Sequence, residues 1–252
     1  TLATNASQQD IIVNQLGDSV NLVTEPERRD TFPAIALAAS YLKLAKQCAD
    51  DEVVVIMPCD PYTEVGYFET IGKMVECVKA DVADLVLMGI APTYASEKYG
   101  YVIPMHENTS TGSAQADNEN YKMVSRFTEK PSVEVAETFL KQGAFWNGGV
   151  FAFRLGYMMN IVRKYMSSDR FEDTRARYSE FPKISFDYEV AEKAESVAVV
   201  PFNGEWKDLG TWNTLTDELH KPVIGNAVMG AHCENTHVIN ELQNPIFVDG
   251  LK

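Results

Sequence analysis

The chain has 252 residues, 45% apolar and 23% charged, so it can bury the core of one large or two small α/β domains. Its 36 acidic and 22 basic residues give a net charge of −14, which argues against nucleic acid or an anionic membrane as a main partner. No apolar run reaches the ~18 residues that a membrane-spanning helix needs, and the first residues do not resemble a signal peptide. We therefore expect a cytoplasmic protein. A nucleotide ligand stays compatible with the charge, because a metal ion can reverse the field locally.

The cysteines and histidines predict neither a disulfide framework nor a zinc site. The four cysteines are widely spaced and form no CxxC pair, so reduced thiols are expected. His232, Cys233 and His237 are close in sequence, and a metal site there stays an alternative. Their strand-like surroundings favour the interpretation without a metal.

Strands and helices alternate over the first 92 residues. The pattern predicts, in chain order, a strand at 20–26, a helix at 32–48, a strand at 52–60, a helix at 67–80 and a strand at 83–92. Thr31 is the expected N-cap of the first of these helices. The continuous β-branched run at 52–60 is typical of a strand buried on both faces of a parallel sheet. This order predicts a doubly wound α/β fold with a mixed, mostly parallel sheet.

The rest of the chain predicts further strands and a change of texture near its end. The expected elements are strands at 99–105 and 121–131, a helix at 132–143, a strand–turn–helix at 146–166, a solvent-facing helical stretch at 167–181, a strand at 197–202 and a helix at 209–219. The polar insert at 106–120 is expected to form an exposed hairpin loop. Short apolar runs after Pro222 indicate a second, β-rich module, so we predict domains at 1–221 and 222–252.

Two aspartates follow predicted strands, where ligands of open α/β sheets bind. Asp60 stands between Cys59 and Pro61, and Asp208 follows a tight turn beside Lys207. Two carboxylates from distant strand ends could share one Mg²⁺ and support transfer of a nucleotidyl group. The structural alternatives are a turn aspartate at position 60 and a helix N-cap at position 208.

Glu129 and Lys130 precede Pro131 and are therefore expected in extended chain, with their side chains pointing to opposite sides. The lysine suits a phosphate, and the glutamate can accept hydrogen bonds from sugar hydroxyls. An exposed surface pair is the alternative interpretation.

Seven segments together resemble, in order and spacing, the motifs of mannose-1-phosphate guanylyltransferases, which are sugar-1-phosphate nucleotidyltransferases. They are EPERRDTFPAIALAA (25–39), VVVIMPCDPY (53–62), GIAPTYASEKYGYV (89–102), RFTEKP (126–131), FWNGGVFAFR (145–154), ISFDYEVAEK (184–193) and WKDLGTW (206–212). The resemblance covers roughly residues 1–220, and the remainder resembles the start of the family's left-handed β-helix module.

The resemblance implies a Rossmann-like nucleotidyltransferase fold and Mg²⁺-dependent transfer of GMP from GTP to mannose 1-phosphate, giving GDP-mannose and pyrophosphate. It implies that Asp60 and Asp208 bind Mg²⁺ and that Lys130 holds the phosphate of the sugar phosphate. The hexose would contact Gly100, Glu129, Asn147 and Asp187. The nucleotide would lie near Glu25, Arg29, Asp30 and Thr31. The oligomeric state is left open, a homo-oligomer included.

Several departures from the family motifs leave alternatives open. Asp30 and Pro61 stand where the family has Asn and His, on the nucleotide side of the site, and Phe32 and Cys59 also differ. Transfer of a thymidylyl or uridylyl group to glucose 1-phosphate, or a non-catalytic regulatory protein that binds a sugar nucleotide, therefore stays an alternative. The family's glycine-rich phosphate loop would precede residue 1, so residues 1–252 alone are expected to have little activity.

Overall fold

The computed structural model describes residues 1–105, 120–210 and 212–252, without the side chains of Asp18 and Asn213. The hairpin loop predicted at 106–120 lies, up to residue 119, outside the described residues. The chain forms two compact units. The first contains residues 1–58 and 64–204, and the second contains residues 59–63 and 205–252.

The predicted strands and helices appear in the predicted order, and the elements at 2–5, 9–16, 61–63, 186–189 and 206–208 are additional ones. The described elements are β1 (Leu2–Asn5), α1 (Gln9–Leu16), β2 (Leu22–Glu25), α2 (Thr31–Ser40), β3 (Val53–Ile56), β4 (Pro61–Thr63), α3 (Val65–Lys79), β5 (Leu85–Ile90), β6 (Tyr101–Pro104), β7 (Lys122–Thr128), α4 (Val133–Lys141), β8 (Phe145–Arg154), α5 (Leu155–Arg163), α6 (Phe171–Ala176), α7 (Phe186–Glu189), β9 (Val197–Phe202), β10 (Trp206–Asp208), α8 (Trp212–Asp217), β11 (Val223–Gly225), β12 (Ala227–Met229), β13 (Val238–Asn240) and β14 (Ile246–Val248).

The first unit is built on a six-stranded mixed sheet in the order β3-β8-β5-β9-β7-β6, in which β6 also pairs with β8. The mixed character was predicted correctly, but the expected mostly parallel pairing is wrong. Within the described residues, β5 with β9 is the one parallel pairing of this sheet. The reason is that β8 runs antiparallel between β3 and β5, two strands that the βαβ pattern suggested as parallel neighbours.

The position of β3 also corrects its predicted burial. Its four residues are half-buried rather than fully buried, because β3 is an edge strand whose pairing in this sheet is with β8. By contrast, all six residues of β5 are buried, since this strand is flanked by β8 and β9. The apolar runs predicted full burial for both strands, but only the central strand β5 is fully buried.

Helices cover both faces of the sheet, as predicted for a doubly wound fold. Leu85 and Phe153 belong to a large core that includes residues of α2, α5 and α7. Side chains alternate along a strand, so the intervening positions face the other side. There α3 packs on β3, β5, β8 and β9, and Tyr67 contacts the ring of Phe202 edge-on at 5.7 Å. This burial on both sides makes the sheet a rigid support for the loops at its strand ends.

The N-cap of helix α2 is Asp30 and not Thr31 as predicted, since Thr31 is the first residue of the helix. The Asp30 side chain accepts a hydrogen bond from the backbone N–H of Thr31 at 2.8 Å. Thr31 instead uses its hydroxyl to accept a hydrogen bond from the backbone N–H of Phe186 at 2.8 Å. A separate parallel pair, β1 with β2, also contacts α2.

The second unit is β-rich. Strands β4 and β10 pair antiparallel, with Asp208 opposite Pro61. Further along, β11 pairs parallel with β13, and β12 pairs parallel with β14. In the part of the chain that the structure describes, no helix is long and apolar enough to cross a membrane.

Candidate functional site

The four predicted hexose residues lie together in the first unit. Because Tyr101 in β6 pairs with Trp146 in β8, Gly100 stands beside Asn147. The Asn147 backbone N–H donates to the Gly100 carbonyl at 2.8 Å, and the Asn147 side-chain amide donates to Asp187 Oδ1 at 2.7 Å. These bonds join the beginnings of β6 and β8 to helix α7.

Glu129, which follows β7, completes this cluster. Its side chain is only 7% exposed, and its Oε2 has no hydrogen-bond partner among the described residues. A methyl group on Gly100 would overlap this oxygen and would lie 3.3 Å from Cβ of Asn147. The absence of a side chain at position 100 therefore makes the space that the Glu129 carboxylate occupies. A buried acceptor without a partner suits a ligand that brings hydroxyl donors.

Lys130 lies beside this carboxylate rather than on the opposite side, which corrects the sequence prediction. Its Nζ is 3.2 Å from Glu129 Oε1. The physical reason is the backbone of Lys130, whose φ of 45° is left-handed and turns the chain out of the extended conformation expected before Pro131. The lysine side chain is more than half exposed, so it can reach an incoming anion.

The electrostatics of the cluster are dominated by buried negative charge. Burial raises the pKa of Glu129 above its ordinary value of 4.5, and the Asp187 carboxylate raises it further, against the opposing effect of Lys130. Burial likewise raises the pKa of Asp187, although backbone and Asn147 hydrogen bonds oppose this shift. For Lys130, burial lowers the pKa, but Glu129 outweighs it and the net shift is upward. Lys130 is therefore a firmly protonated cation that only partly neutralises its neighbours.

The predicted nucleotide residues lie in the first unit and make bonds within it. Glu25 accepts a hydrogen bond from the Tyr178 hydroxyl at 2.6 Å. Arg29 donates to the Phe181 carbonyl at 3.1 Å and pairs with Glu27 at 2.9 Å. Asp30 and Thr31 are used at the start of α2, as described above. A nucleotide role for these residues stays a prediction beside these structural ones.

Asp60 and Asp208 both belong to the second unit, where β4 and β10 bring them to neighbouring positions at the end of one ladder. Both are exposed. Asp208 Oδ1 accepts from the Gly210 backbone N–H at 2.8 Å, which is a turn contact and not the predicted alternative of a helix cap, because α8 begins at Trp212. Aspartates at neighbouring backbone positions suit Mg²⁺, which proteins bind through one or two carboxylates while phosphates and waters complete the shell.

Among the described residues, no larger metal cluster accompanies this pair. Within residues 1–105, 120–210 and 212–252, no group of three or more His, Cys, Asp and Glu side chains could hold a metal ion. The alternative site at His232, Cys233 and His237 thus has no support, and His232 instead pairs with Asp249 at 3.0 Å. The four cysteines are free thiols, as expected.

One residue of the cluster was missed by the sequence analysis. Glu192 accepts a hydrogen bond from the Glu129 backbone N–H at 3.0 Å. Glu192 stands in the segment ISFDYEVAEK, which was noted for Asp187, but an exposed glutamate in a polar stretch gave no sign of its partner.

Comparison with known proteins gives the same family as the sequence motifs. The sequence model of the family described as "Nucleotidyl transferase" matches residues 2–222. Mannose-1-phosphate guanylyltransferase 2 of Escherichia coli O157:H7 is 27% identical over 90% of this chain and 51% of its own length. A mannose-1-phosphate guanylyltransferase of Klebsiella pneumoniae is 31% identical over 84% of this chain and 47% of its own. The chain thus spans about half the length of these curated relatives.

A solved structure gives the same result for the fold. The protein described as mannose-1-phosphate geranyltransferase from Thermus thermophilus superposes with a TM-score of 0.69 at 27% identity, over 98% of this chain and 74% of its own. The expected Rossmann-like α/β nucleotidyltransferase fold is therefore confirmed. Since the family match extends over most of the chain, from β1 to the start of the last four strands, the chain belongs to the nucleotidyl transferase family.

Proposed function

We propose that the protein transfers GMP from GTP to mannose 1-phosphate, giving GDP-mannose and pyrophosphate. The observation that carries this proposal is the buried, unpartnered Oε2 of Glu129 beside the exposed ammonium of Lys130, in a chain of the nucleotidyl transferase family. The names of the relatives in Escherichia coli and Klebsiella pneumoniae support mannose 1-phosphate as the acceptor and guanylyl as the group transferred.

The cluster offers complementary groups to a hexose phosphate. In this proposal Lys130 exchanges Glu129 for the sugar phosphate, and Glu129 accepts hydroxyl groups of the hexose together with Asp187 and Asn147. Gly100 keeps the space open. A phosphate oxygen of mannose 1-phosphate attacks the α-phosphorus of GTP, the bond from that phosphorus to the β-phosphate oxygen breaks, and pyrophosphate leaves. Lys130 orients the attacking phosphate and reduces its repulsion from the triphosphate.

We propose that Asp60 and Asp208 hold the divalent cation, Mg²⁺. When bound, such an ion neutralises charge on the phosphates that develops during nucleotidyl transfer. The β4–β10 ladder keeps the backbones of the two aspartates at neighbouring positions, and the bond from Gly210 restrains the Asp208 side chain. Glu25, Arg29, Asp30 and Thr31 stay our candidates for the nucleotide side.

A panel of substrates tests the reaction. The intact protein is incubated with Mg²⁺, one of GTP, ATP, UTP or dTTP, and either mannose 1-phosphate or glucose 1-phosphate, and pyrophosphate release is measured. GTP with mannose 1-phosphate should give the highest kcat/KM. A preference for dTTP or UTP with glucose 1-phosphate would favour thymidylyl or uridylyl transfer to glucose 1-phosphate. The departures from the family motifs at Asp30 and Pro61 keep this alternative open. Binding of GDP-mannose without any turnover would favour a regulatory protein.

The metal assignment has its own test. Asp208→Asn should lower kcat by ~10²–10³, as expected for loss of one electrostatic group in the transition state, and should weaken the Mg²⁺ dependence. Asp217→Asn changes an exposed carboxylate in α8 and serves as the matched control. Wild-type turnover and Mg²⁺ dependence in Asp208→Asn would contradict a metal at this position.

Within the second unit, which also contains residues 59–63 and 205–221, we propose that residues 222–252 begin a β-helix and form a module separate from a catalytic domain at 1–221. Support comes from the parallel pairing of β11 with β13 and of β12 with β14, since successive coils of a β-helix stack as parallel strands.

A further inference from the structure

The turn that presents Lys130 is strained and needs support from its surroundings. A φ of 45° is uncommon for a residue other than glycine, and such a conformation persists only where neighbouring structure holds it. Pro131, which follows, is buried and restricts the chain on that side. On the N-terminal side of Lys130, the chain is restrained by a hydrogen bond of the Glu129 backbone N–H.

That N–H group donates to the carboxylate of Glu192, with 3.0 Å between Glu129 N and Glu192 Oε1. A bond to an ionised acceptor is stronger than one between neutral groups. The Glu192 carboxylate also repels the Glu129 carboxylate, and this repulsion is one of the causes that raise the pKa of Glu129. A third acid beside Glu129 and Asp187 is therefore electrostatically unfavourable there, and the backbone bond is the favourable contact that it makes.

One short segment carries both supports of the cluster. Asp187 in α7 accepts from Asn147, and Glu192 lies in the 3₁₀ turn Ala191–Lys193 that follows. The segment is itself fixed, because the Phe186 N–H donates to Thr31 Oγ1, and the side chains of Val190 and Ala191 are buried. A rigid segment thus holds β8 through one acid and the turn after β7 through the other.

We propose that Glu192 is a positioning residue that fixes the Glu129–Lys130 turn and thereby aims Lys130 at the phosphate of the sugar phosphate. Glu192 acts through the backbone of Glu129 and contacts no substrate. For its kinetic consequence this inference rests on the proposed function, whereas its structural part can be measured without any reaction.

The kinetic test compares Glu192→Ala with Glu192→Gln in the intact protein. Loss of the bond in Glu192→Ala should raise KM for mannose 1-phosphate about tenfold to hundredfold, the range for a hydrogen bond to a charged group, and leave KM for GTP nearly unchanged. Glu192→Gln keeps an acceptor oxygen and should recover most of the affinity. Glu195→Ala removes another exposed carboxylate three residues further on and serves as the control. An equal rise in KM for both substrates would mean that the substitution disturbs the whole site rather than the position of Lys130, and would overturn the proposal.

The structural test is hydrogen exchange at the Glu129 amide, followed by NMR. This amide should exchange at least ~10-fold faster in Glu192→Ala than in the wild type, while Glu192→Gln and Glu195→Ala retain its protection. Wild-type protection in Glu192→Ala would overturn the positioning role. If the wild type makes no GDP-mannose and the amide still responds as described, the proposed function fails and the positioning role stands.

Discussion

Gly100 is the residue whose substitution tests the proposed hexose site most directly. A Cβ atom there would overlap Glu129 Oε2 and lie 3.2 Å from Cζ of Phe127. We predict that Gly100→Ala displaces the Glu129 carboxylate and raises KM for mannose 1-phosphate at least ~10-fold, since one misplaced charged hydrogen bond is enough for that effect.

The matched control for this substitution is Gly72→Ala. Gly72 lies inside α3 with nothing within 4 Å of an added methyl group, so this change should leave kinetics intact and add up to ~1 kcal/mol of stability. Kinetic constants of Gly100→Ala that match those of Gly72→Ala would contradict the assignment.

Glu129 should also link stability to pH. Its pKa is raised in the folded protein, chiefly by burial, so the native state binds more protons than the unfolded chain as pH rises above about 4.5. The ionised carboxylate is then a destabilising charge, and stability attributable to it falls with rising pH. We predict that Glu129→Gln has a higher Tm than the wild type at pH 7 and loses this advantage below the ordinary carboxyl range, while its activity drops.

Thermal unfolding between pH 4 and pH 7 measures this difference. Glu137→Gln, an exposed change on α4, provides the control and should show no such trend. A lower Tm for Glu129→Gln at pH 7 would mean that the Lys130 ion pair outweighs the cost of burial.

Among the elements, α2 depends on an unusual cap. Asp30 has φ 76° and ψ −176°, a region that residues other than glycine rarely occupy. We predict that Asp30→Ala lowers the free energy of unfolding by about 1–2 kcal/mol because the cap is lost and the strain stays. Asp30→Gly relieves the strain and should lose much less, and Asp30→Asn should keep the cap. Urea denaturation of the three variants measures their free energies of unfolding. A larger loss of stability in Asp30→Gly than in Asp30→Ala would contradict the prediction.

The elements themselves could be predicted from the sequence, but their neighbours could not. The buried run of β5 and the helical period of α3 are local patterns, and both elements appear where expected. The insertion of β8 between β3 and β5 depends on long-range hydrogen bonds, which leave no trace in the periodicity of any of the three strands.

The site shows the same division. Its candidate residues were proposed from motifs, whereas the ion pair of Lys130 with Glu129 depends on a left-handed backbone that the following proline did not predict. The bond from Glu129 to Glu192 joins positions 63 residues apart, and no local pattern marks it.

At the scale of the whole chain, the two units differ in how much they bury. Within residues 222–252, all of them described, only Val238 and Asn240 are buried, and the strands have three residues each. We predict that amides of 223–248 in the 252-residue chain exchange at least ~10-fold faster than those of β5 and β9, because little apolar area resists local opening. Exchange measured by mass spectrometry on these peptides checks the prediction, and equal protection in both regions would contradict it.

Inorganic phosphate is an anion that the Lys130–Glu129 ion pair should bind less readily than a sugar phosphate. At rest, the Lys130 ammonium is already neutralised by Glu129 Oε1 at 3.2 Å. A free phosphate ion lacks the ring hydroxyls of a hexose, so by taking Lys130 it would leave the buried Glu129 carboxylate without its counter-charge and without sugar hydroxyls in exchange. A sugar phosphate brings hydroxyl donors for that carboxylate at the same time. The ion pair therefore favours a sugar phosphate over free phosphate, an abundant ion that the proposed reaction neither consumes nor releases.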